Sequence, residues 1–193
     1  MKQEQGKGNL FVIKLNASQL RTWNKENPPS LKLRRTRKNP IYIILDNVLD
    51  TYNIGSIFRL ADAVAAQEVI ITGQSEIPPN TRIKKASINT TEWVNWHYEN
   101  TAEKAIKNLK LKIKNLWVVG IEQDKKSISY TQMKWEFPVA VVVGNETYGV
   151  SKEVLDMCDA IVELPMFGVN VSLNVMVTLG IVLYKMVETT AGK

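Results

Sequence analysis

The chain has 193 residues, 45% of them apolar and 23% charged, which suits one soluble globular domain with a core of its own. A net charge of +6 and an isoelectric point near 9.3 favour a polyanionic partner such as nucleic acid over a small cationic ligand. A single cysteine, Cys158, excludes an intrachain disulfide and a cysteine-rich zinc site, and the one histidine, His97, has no nucleophile motif beside it to support Ser-His-Asp or Cys-His chemistry.

In chain order, residues 1–7 read as a tail, and Leu10, Phe11, Ile13, Leu15, Leu20 and Trp23 suit a short element packed at an edge before Pro28-Pro29-Ser30 breaks it. The stretch lacks an apolar run of signal-peptide length, and Val175 to Val187 is too short to span a bilayer, so a cytoplasmic protein with no membrane partner is expected. Lys32, Arg34, Arg35, Arg37 and Lys38 place five cations in seven positions ahead of the first strong strand, and they are the expected RNA-binding segment. The expected organisation is an extension over 1–38 and one domain over 39–193.

Ile41-Tyr42-Ile43-Ile44-Leu45 is the first core strand. A helix is predicted to open at Asn53, as its N-cap, and to reach about Ala66, burying Ile54, Ile57, Phe58, Ala61, Val64 and Ala65. Gly55 and Arg59 fall on another face, where the glycine would let a ligand backbone approach the guanidinium. Val69 to Gly73 is the second strand, and Asn80 to Ser87, with Arg82, Lys84 and Lys85, reads as a polar loop. Asn89 to Tyr98 reads as a short crossing anchored by tryptophans, and Asn100 as the cap of a helix through Leu109. Leu116 to Ile121 is the third strand, followed by a charged loop and a short segment from Ile128 to Met133.

Val139 to Val143 is a buried strand that stops at the glycine-bounded turn Gly144-Asn145-Glu146-Thr147-Tyr148-Gly149. Ser151 suits a helix N-cap, Ala160 to Leu164 is a further strand ended by Pro165, and Val175 to Val187, apolar on nearly every side, reads as a buried helix. Strands alternating with helices give an α/β fold with a largely parallel sheet flanked by helices, whose carboxyl-end crevice is the place for a ligand.

The motifs exclude several chemistries. No Gly-x-Gly-x-x-Gly follows a strand, and Val150 stands where a phosphate-binding loop needs its lysine, so neither a dinucleotide site nor a nucleoside triphosphatase is supported. Carboxylates and histidines lack metal-ligand spacing, so no metal is expected, and Cys158 reads as core filler.

Asn53-Ile54-Gly55-Ser56-Ile57-Phe58-Arg59, then Gly144-Asn145-Glu146-Thr147-Tyr148-Gly149, then Leu164-Pro165-Met166 with Ser172-Leu173-Asn174-Val175, resembles the three ordered motifs of the SpoU/TrmH family of RNA ribose 2′-O-methyltransferases, in the SPOUT superfamily. The likeness runs from about Pro40 to Glu188. It implies a SPOUT-type fold with a carboxyl-terminal trefoil knot, S-adenosylmethionine as cofactor, a homodimer whose interface helps form the active site, and a tRNA substrate in preference to ribosomal RNA. It further implies that Ile121, Gly144, Leu164, Met166 and Leu173 bind the cofactor and that Arg59, Asn53, Glu146, Ser172 and Asn174 form the catalytic set. The family commonly has glycine where Thr147 stands and small residues where Met176 and Leu179 stand, differences that bear on pocket shape. The competing class is a non-catalytic RNA-binding or RNA-assembly protein that keeps the fold, which would have no need of all five polar residues. A base-methylating enzyme is disfavoured because the motifs are those of the ribose-directed branch.

Overall fold

The computed structural model describes Ser18 and residues 38–191, so the amino-terminal apolar pattern and Lys32, Arg34, Arg35 and Arg37 lie outside the described residues. Seven strands, β1 (Asn39–Asp46), β2 (Ala66–Thr72), β3 (Trp96–Glu99), β4 (Trp117–Ile121), β5 (Ile128–Ser129), β6 (Val139–Gly144) and β7 (Ala160–Glu163), form one sheet of order β3-β2-β1-β6-β4-β7-β5. Every ladder in it is parallel. The helices are α1 (Thr51–Ala63), α2 (Thr81–Ser87), α3 (Ala102–Lys112), α4 (Lys152–Leu155) and α5 (Val175–Ala191), with a 3-10 turn at Thr90–Glu92.

The two central strands are apolar because both of their faces are covered. Ile41, Ile43 and Leu45 of β1 join Val141 and Val143 of β6 in a core closed by Ile54, Ile57 and Phe58 of α1 and by Leu179, Val182, Leu183 and Met186 of α5. Ile44, Ala140 and Val142 point the other way, onto Ala102, Ala105, Ile106 and Leu109 of α3 and Val154 of α4. The alternation is the period of two of a strand, and each valine, leucine or isoleucine among these, buried completely, contributes about 1.5–3 kcal/mol.

Several local expectations are corrected. The N-cap of α1 is Asp50, whose side chain accepts from Tyr52 N, and Asn53 is buried one turn in, released to make tertiary contacts. The helix stops at Ala63, where the backbone turns to positive φ at Ala65. Asn80 to Ser87 is a helix, not a loop, because the Asn80 side chain caps it by accepting from Arg82 N and Ile83 N. Thr101, not Asn100, caps α3. Gly55 gives no access to a ligand: a Cβ there would lie 2.6 Å from Ala86 Cβ and 2.7 Å from the Ile83 carbonyl, so the glycine exists to let α1 and α2 touch. The tryptophans are anchors, as expected. Trp96 meets Phe58 edge-on at 6.3 Å, and Trp93 Nε1 donates to Asp62 Oδ1 at 2.7 Å.

The largest correction concerns α5, which is not buried all round. Val177, Ile181 and Tyr184, 40%, 36% and 54% exposed, form a stripe on the face opposite Leu179, Val182, Leu183 and Met186. Its apolar surface therefore exceeds what its own chain covers. Among the described residues no helix is long and apolar enough to cross a membrane.

Candidate active site

The carboxyl ends of β1, β4, β6 and β7 come together on one side of the sheet, and a cleft of about 530 Å³ opens there. Strand β6 delivers the turn from Gly144 to Gly149, closed by reciprocal hydrogen bonds between Asn145 and Gly149 at 3.0 and 2.9 Å. Asn145 organises the turn from within. Its Oδ1 accepts from Thr147 N at 2.8 Å and Tyr148 N at 3.1 Å, while its Nδ2 donates to the Asn47 carbonyl at 2.9 Å. A Cβ on Gly144 would collide with the Gly149 backbone, so the turn folds tightly over the strand end only because the side chain is missing.

Glu146 ties that turn to the first strand's loop. One carboxylate oxygen accepts from Asp50 N at 3.0 Å and Asn53 Nδ2 at 2.9 Å, and the other from Leu49 N at 3.1 Å. Asn53 Oδ1 in turn accepts from Asn174 Nδ2 at 3.0 Å, and Asn174 Oδ1 accepts from Met176 N at 2.9 Å, at the start of α5. Three motifs far apart in the chain thus share one polar relay, Glu146–Asn53–Asn174. Burial pushes the Glu146 carboxyl towards its neutral form, but the donors Asn53, Leu49 N and Asp50 N outweigh it and hold the group below the ordinary carboxylate value.

The expected cofactor residues Ile121, Gly144, Leu164, Met166 and Leu173 all line the cleft, as do Glu146, Ser172 and Asn174. Asn53 reaches the cleft through its two partners rather than by lining it. Arg59 is not brought to it. The residue is exposed on α1 and does not line the cleft, and among the described residues its guanidinium makes no hydrogen bond or ion pair. Lys38 sits at the amino end of the sheet, away from the strand ends that form the cleft, and its Nζ donates to the Gln67 carbonyl at 3.1 Å. Burial lowers its pKa, against the pull of Glu68 and Asp62.

Sequence reasoning missed Glu122. Directly after β4, its Oε2 accepts from Val150 N at 2.8 Å and occupies the space a Cβ on Gly149 would need, and the Gly149 φ of +70° favours glycine there as well. Asp46, 3% exposed and the last residue of β1, likewise holds a backbone amide of the next segment, accepting from Ser151 N at 2.8 Å. Both are carboxylates set at the end of an apolar strand, and that placement was the available signal. Cys158 is core filler, as expected: its Sγ donates to the Val154 carbonyl at 3.3 Å, and burial with Asp159 beside it pushes the thiol up to about 12, far from a nucleophile's range.

Ile121, Val143, Leu164, Met166, Leu173 and Val175 give the cleft apolar walls, and Glu122, Glu146 and Glu163 give it three carboxylates, with no lysine or arginine among its lining residues. In a chain of net charge +6 that is a local reversal of sign. Such a cleft suits a ligand with a flat apolar part and a positive centre.

The model of the SpoU rRNA Methylase family matches residues 40–184. The chain is 31% identical over 148 residues to a putative TrmH family tRNA/rRNA methyltransferase, YacO, of Bacillus subtilis, covering 77% of this chain and 58% of that protein. It is 30% identical over 156 residues to the 23S rRNA (guanosine-2′-O-)-methyltransferase RlmB of Haemophilus influenzae, covering 81% and 63%. The chain thus spans less than two thirds of the length of these curated relatives. Among solved structures, the AdoMet-bound rRNA methyltransferase of Sinorhizobium meliloti aligns with a TM-score of 0.71 at 27% identity, over 77% of this chain and 56% of that one. The SpoU methyltransferase AviRb of Streptomyces viridochromogenes, in complex with AdoMet, aligns at 0.75 with 22% identity over 82% and 64%, a likeness of fold.

Proposed function

The chain belongs to the SpoU rRNA methylase family, and on that premise we propose that it transfers the methyl group of S-adenosylmethionine to a ribose 2′-hydroxyl of structured RNA. The observation that carries the reading is the Glu146–Asn53–Asn174 relay, which joins the three motifs at the rim of an apolar cleft with acidic walls. A protein that only held RNA would have no use for a hydrogen-bonded polar set directed at a pocket of net negative charge. The domain proper is taken to start at residue 39, where β1 begins.

The cofactor, when bound, supplies an electrophilic methyl on a sulfonium. The apolar residues Ile121, Leu164, Met166 and Leu173 would hold its flat part, with Gly144 lining the cleft beside them, and the three carboxylates would complement its positive charge. Asn174 and Ser172, on the segment leading into α5, orient the ribose, and Glu146 and Asn53 fix Asn174 in turn. Arg59 grips the phosphate beside the target ribose and stabilises the developing alkoxide. A guanidinium stays protonated in water and only donates hydrogen bonds, so it does not serve as base and the proton goes to phosphate or water.

Arg59 serves the cleft of a second copy. Leu60, its neighbour, packs against Gly180 of α5, next to exposed Ile181, so the guanidinium and the apolar stripe flank one seam between α1 and α5. A homodimer across that seam covers the stripe and carries Arg59 to the partner's cleft. The trefoil knot belongs to the same proposal. It is supported by β6 lying between β1 and β4 and by the stretch after β7 lining the cleft before α5 packs back on α1.

tRNA is proposed ahead of ribosomal RNA on the spacing from Gly168 to Asn174, and the relatives' names carry both classes, so the test runs both. Titration calorimetry with S-adenosylmethionine is expected to give saturable heat, and mapping of 2′-O-methyls in total RNA with and without the gene is expected to lose one position. No heat would favour the RNA-binding alternative.

A further inference from the structure

We propose that Gln123 is a positioning residue: its side-chain amide latches the stretch from Met166 to Leu173 against the cleft, and the latch sets how tightly the cofactor is held. The proposal rests on the reading of the cleft as the S-adenosylmethionine site.

The stretch has few other supports. Met166, Val171, Ser172 and Leu173 line the cleft, yet residues 166–173 belong to no helix or strand. Phe167, Val169 and Val171, 94%, 101% and 78% exposed, are turned to solvent, so apolar burial does not anchor them. Of the hydrogen bonds among the described residues, a single one reaches this stretch: Gln123 Nε2 donates to the Val171 carbonyl. The next fixed points are Leu164, packed against the core, and Asn174, bonded to Asn53.

Gln123 is itself held in place. Its backbone N donates to Glu122 Oε1 at 2.9 Å, and the other oxygen of that carboxylate takes Val150 N. Glu122 and Gln123 follow β4, Val150 follows the turn delivered by β6, and Val171 precedes α5, so this pair fastens three segments to one another. The fastening is separate from the Glu146–Asn53–Asn174 relay. The relay fixes the end of the stretch at Asn174, and the latch fixes it three residues earlier.

A segment on one tether occupies its closed arrangement in proportion to the strength of that tether. A ligand that needs Met166 and Leu173 in place binds in proportion to the closed fraction. The net worth of one ordinary hydrogen bond changes that fraction about fivefold. The partner is a carbonyl, which only accepts, so the residue at 123 must bring a donor and not merely fill space.

The test uses the full ¹⁵N-labelled chain and two variants. Gln123→Leu keeps the bulk and removes the donor without adding charge, and Gln123→Lys brings a donor back. Without ligand, amide order parameters at residues 167–172 are expected above about 0.6 in the wild type, below it in Gln123→Leu and above it again in Gln123→Lys, with the strands unchanged throughout. In calorimetry, Gln123→Leu should bind S-adenosylmethionine and S-adenosylhomocysteine about fivefold more weakly. Gln123→Lys should recover the affinity for S-adenosylhomocysteine, where no sulfonium charge opposes the lysine. Order parameters unmoved by Gln123→Leu, or affinities unmoved while heat from the wild type is normal, sink the latch alone. A lysine variant as weak as the leucine one traces the loss to packing and overturns the proposal as well. Missing heat in the wild-type chain sinks the reading of the cleft, and the latch's hold on the cofactor with it.

Discussion

Glu146 is the residue through which the site is assembled, because its two oxygens hold the loop after β1, Asn53, and through Asn53 the start of α5. Glu146→Ala leaves the amide of Asn53, 5% exposed, without its acceptor, and a loss of about 1–3 kcal/mol in denaturant unfolding is expected. The sign of the pH dependence follows from the depressed pKa. The carboxylate's contribution is complete at neutral pH, where folded and unfolded states are both ionised. It fades as pH falls from the unfolded value, about 4.3, through the lower folded one, because protonation is taken up first by the unfolded chain. Melting temperatures of wild type and Glu146→Gln should therefore converge in that acid window and stay apart above it. For Arg59, the forked geometry matters more than the charge, so Arg59→Lys should lower methyl transfer about a hundredfold while leaving the calorimetric affinity for S-adenosylmethionine unchanged. Near-normal turnover would remove Arg59 from the mechanism.

At the scale of elements, two helix contacts set the geometry. Gly55→Ala forces a methyl against Ala86 Cβ and the Ile83 carbonyl, both within 2.7 Å, and neither is a flexible chain end. The α1–α2 pair must part, at a cost of about 1–3 kcal/mol in urea titration, even though alanine is the better helix former. The outer stripe of α5 makes the other prediction. Ile181→Lys places a charge among Val177 and Tyr184 and should convert a dimer to a monomer in sedimentation, with the secondary structure seen by circular dichroism retained. Co-purified Arg59→Ala and Asn174→Ala chains should regain activity as a mixture, since one cleft then combines an intact arginine with an intact asparagine. A mixture as inactive as its components would place Arg59 in its own chain's cleft.

Across the whole molecule, the alternation of apolar strands and helices made the parallel sheet legible, and the short motifs made the cleft legible, since five of five expected cofactor residues line it. What was not legible depended on tertiary partners. Asn53 has the composition of a cap, and only Glu146 and Asn174, 93 and 121 residues away, explain why it is buried instead. Gly55 looked like an opening because α2 was read as a loop. An apolar helix such as α5 has the same sequence whether its second face meets its own core or another molecule. The sheet order carries a further consequence, for how the chain comes to be folded. Its middle seam joins β1 to β6, strands at residues 39–46 and 139–144, with β2, β3, β4 and β5 laid down between them. On a translating ribosome, the side of β1 that β6 will occupy waits unpaired through the making of all that intervenes. Contacts of such long sequence separation close slowly. A nascent chain halted before Val139 is expected to engage chaperones through Ile41 to Leu45, and one released after Gly144 to let go of them.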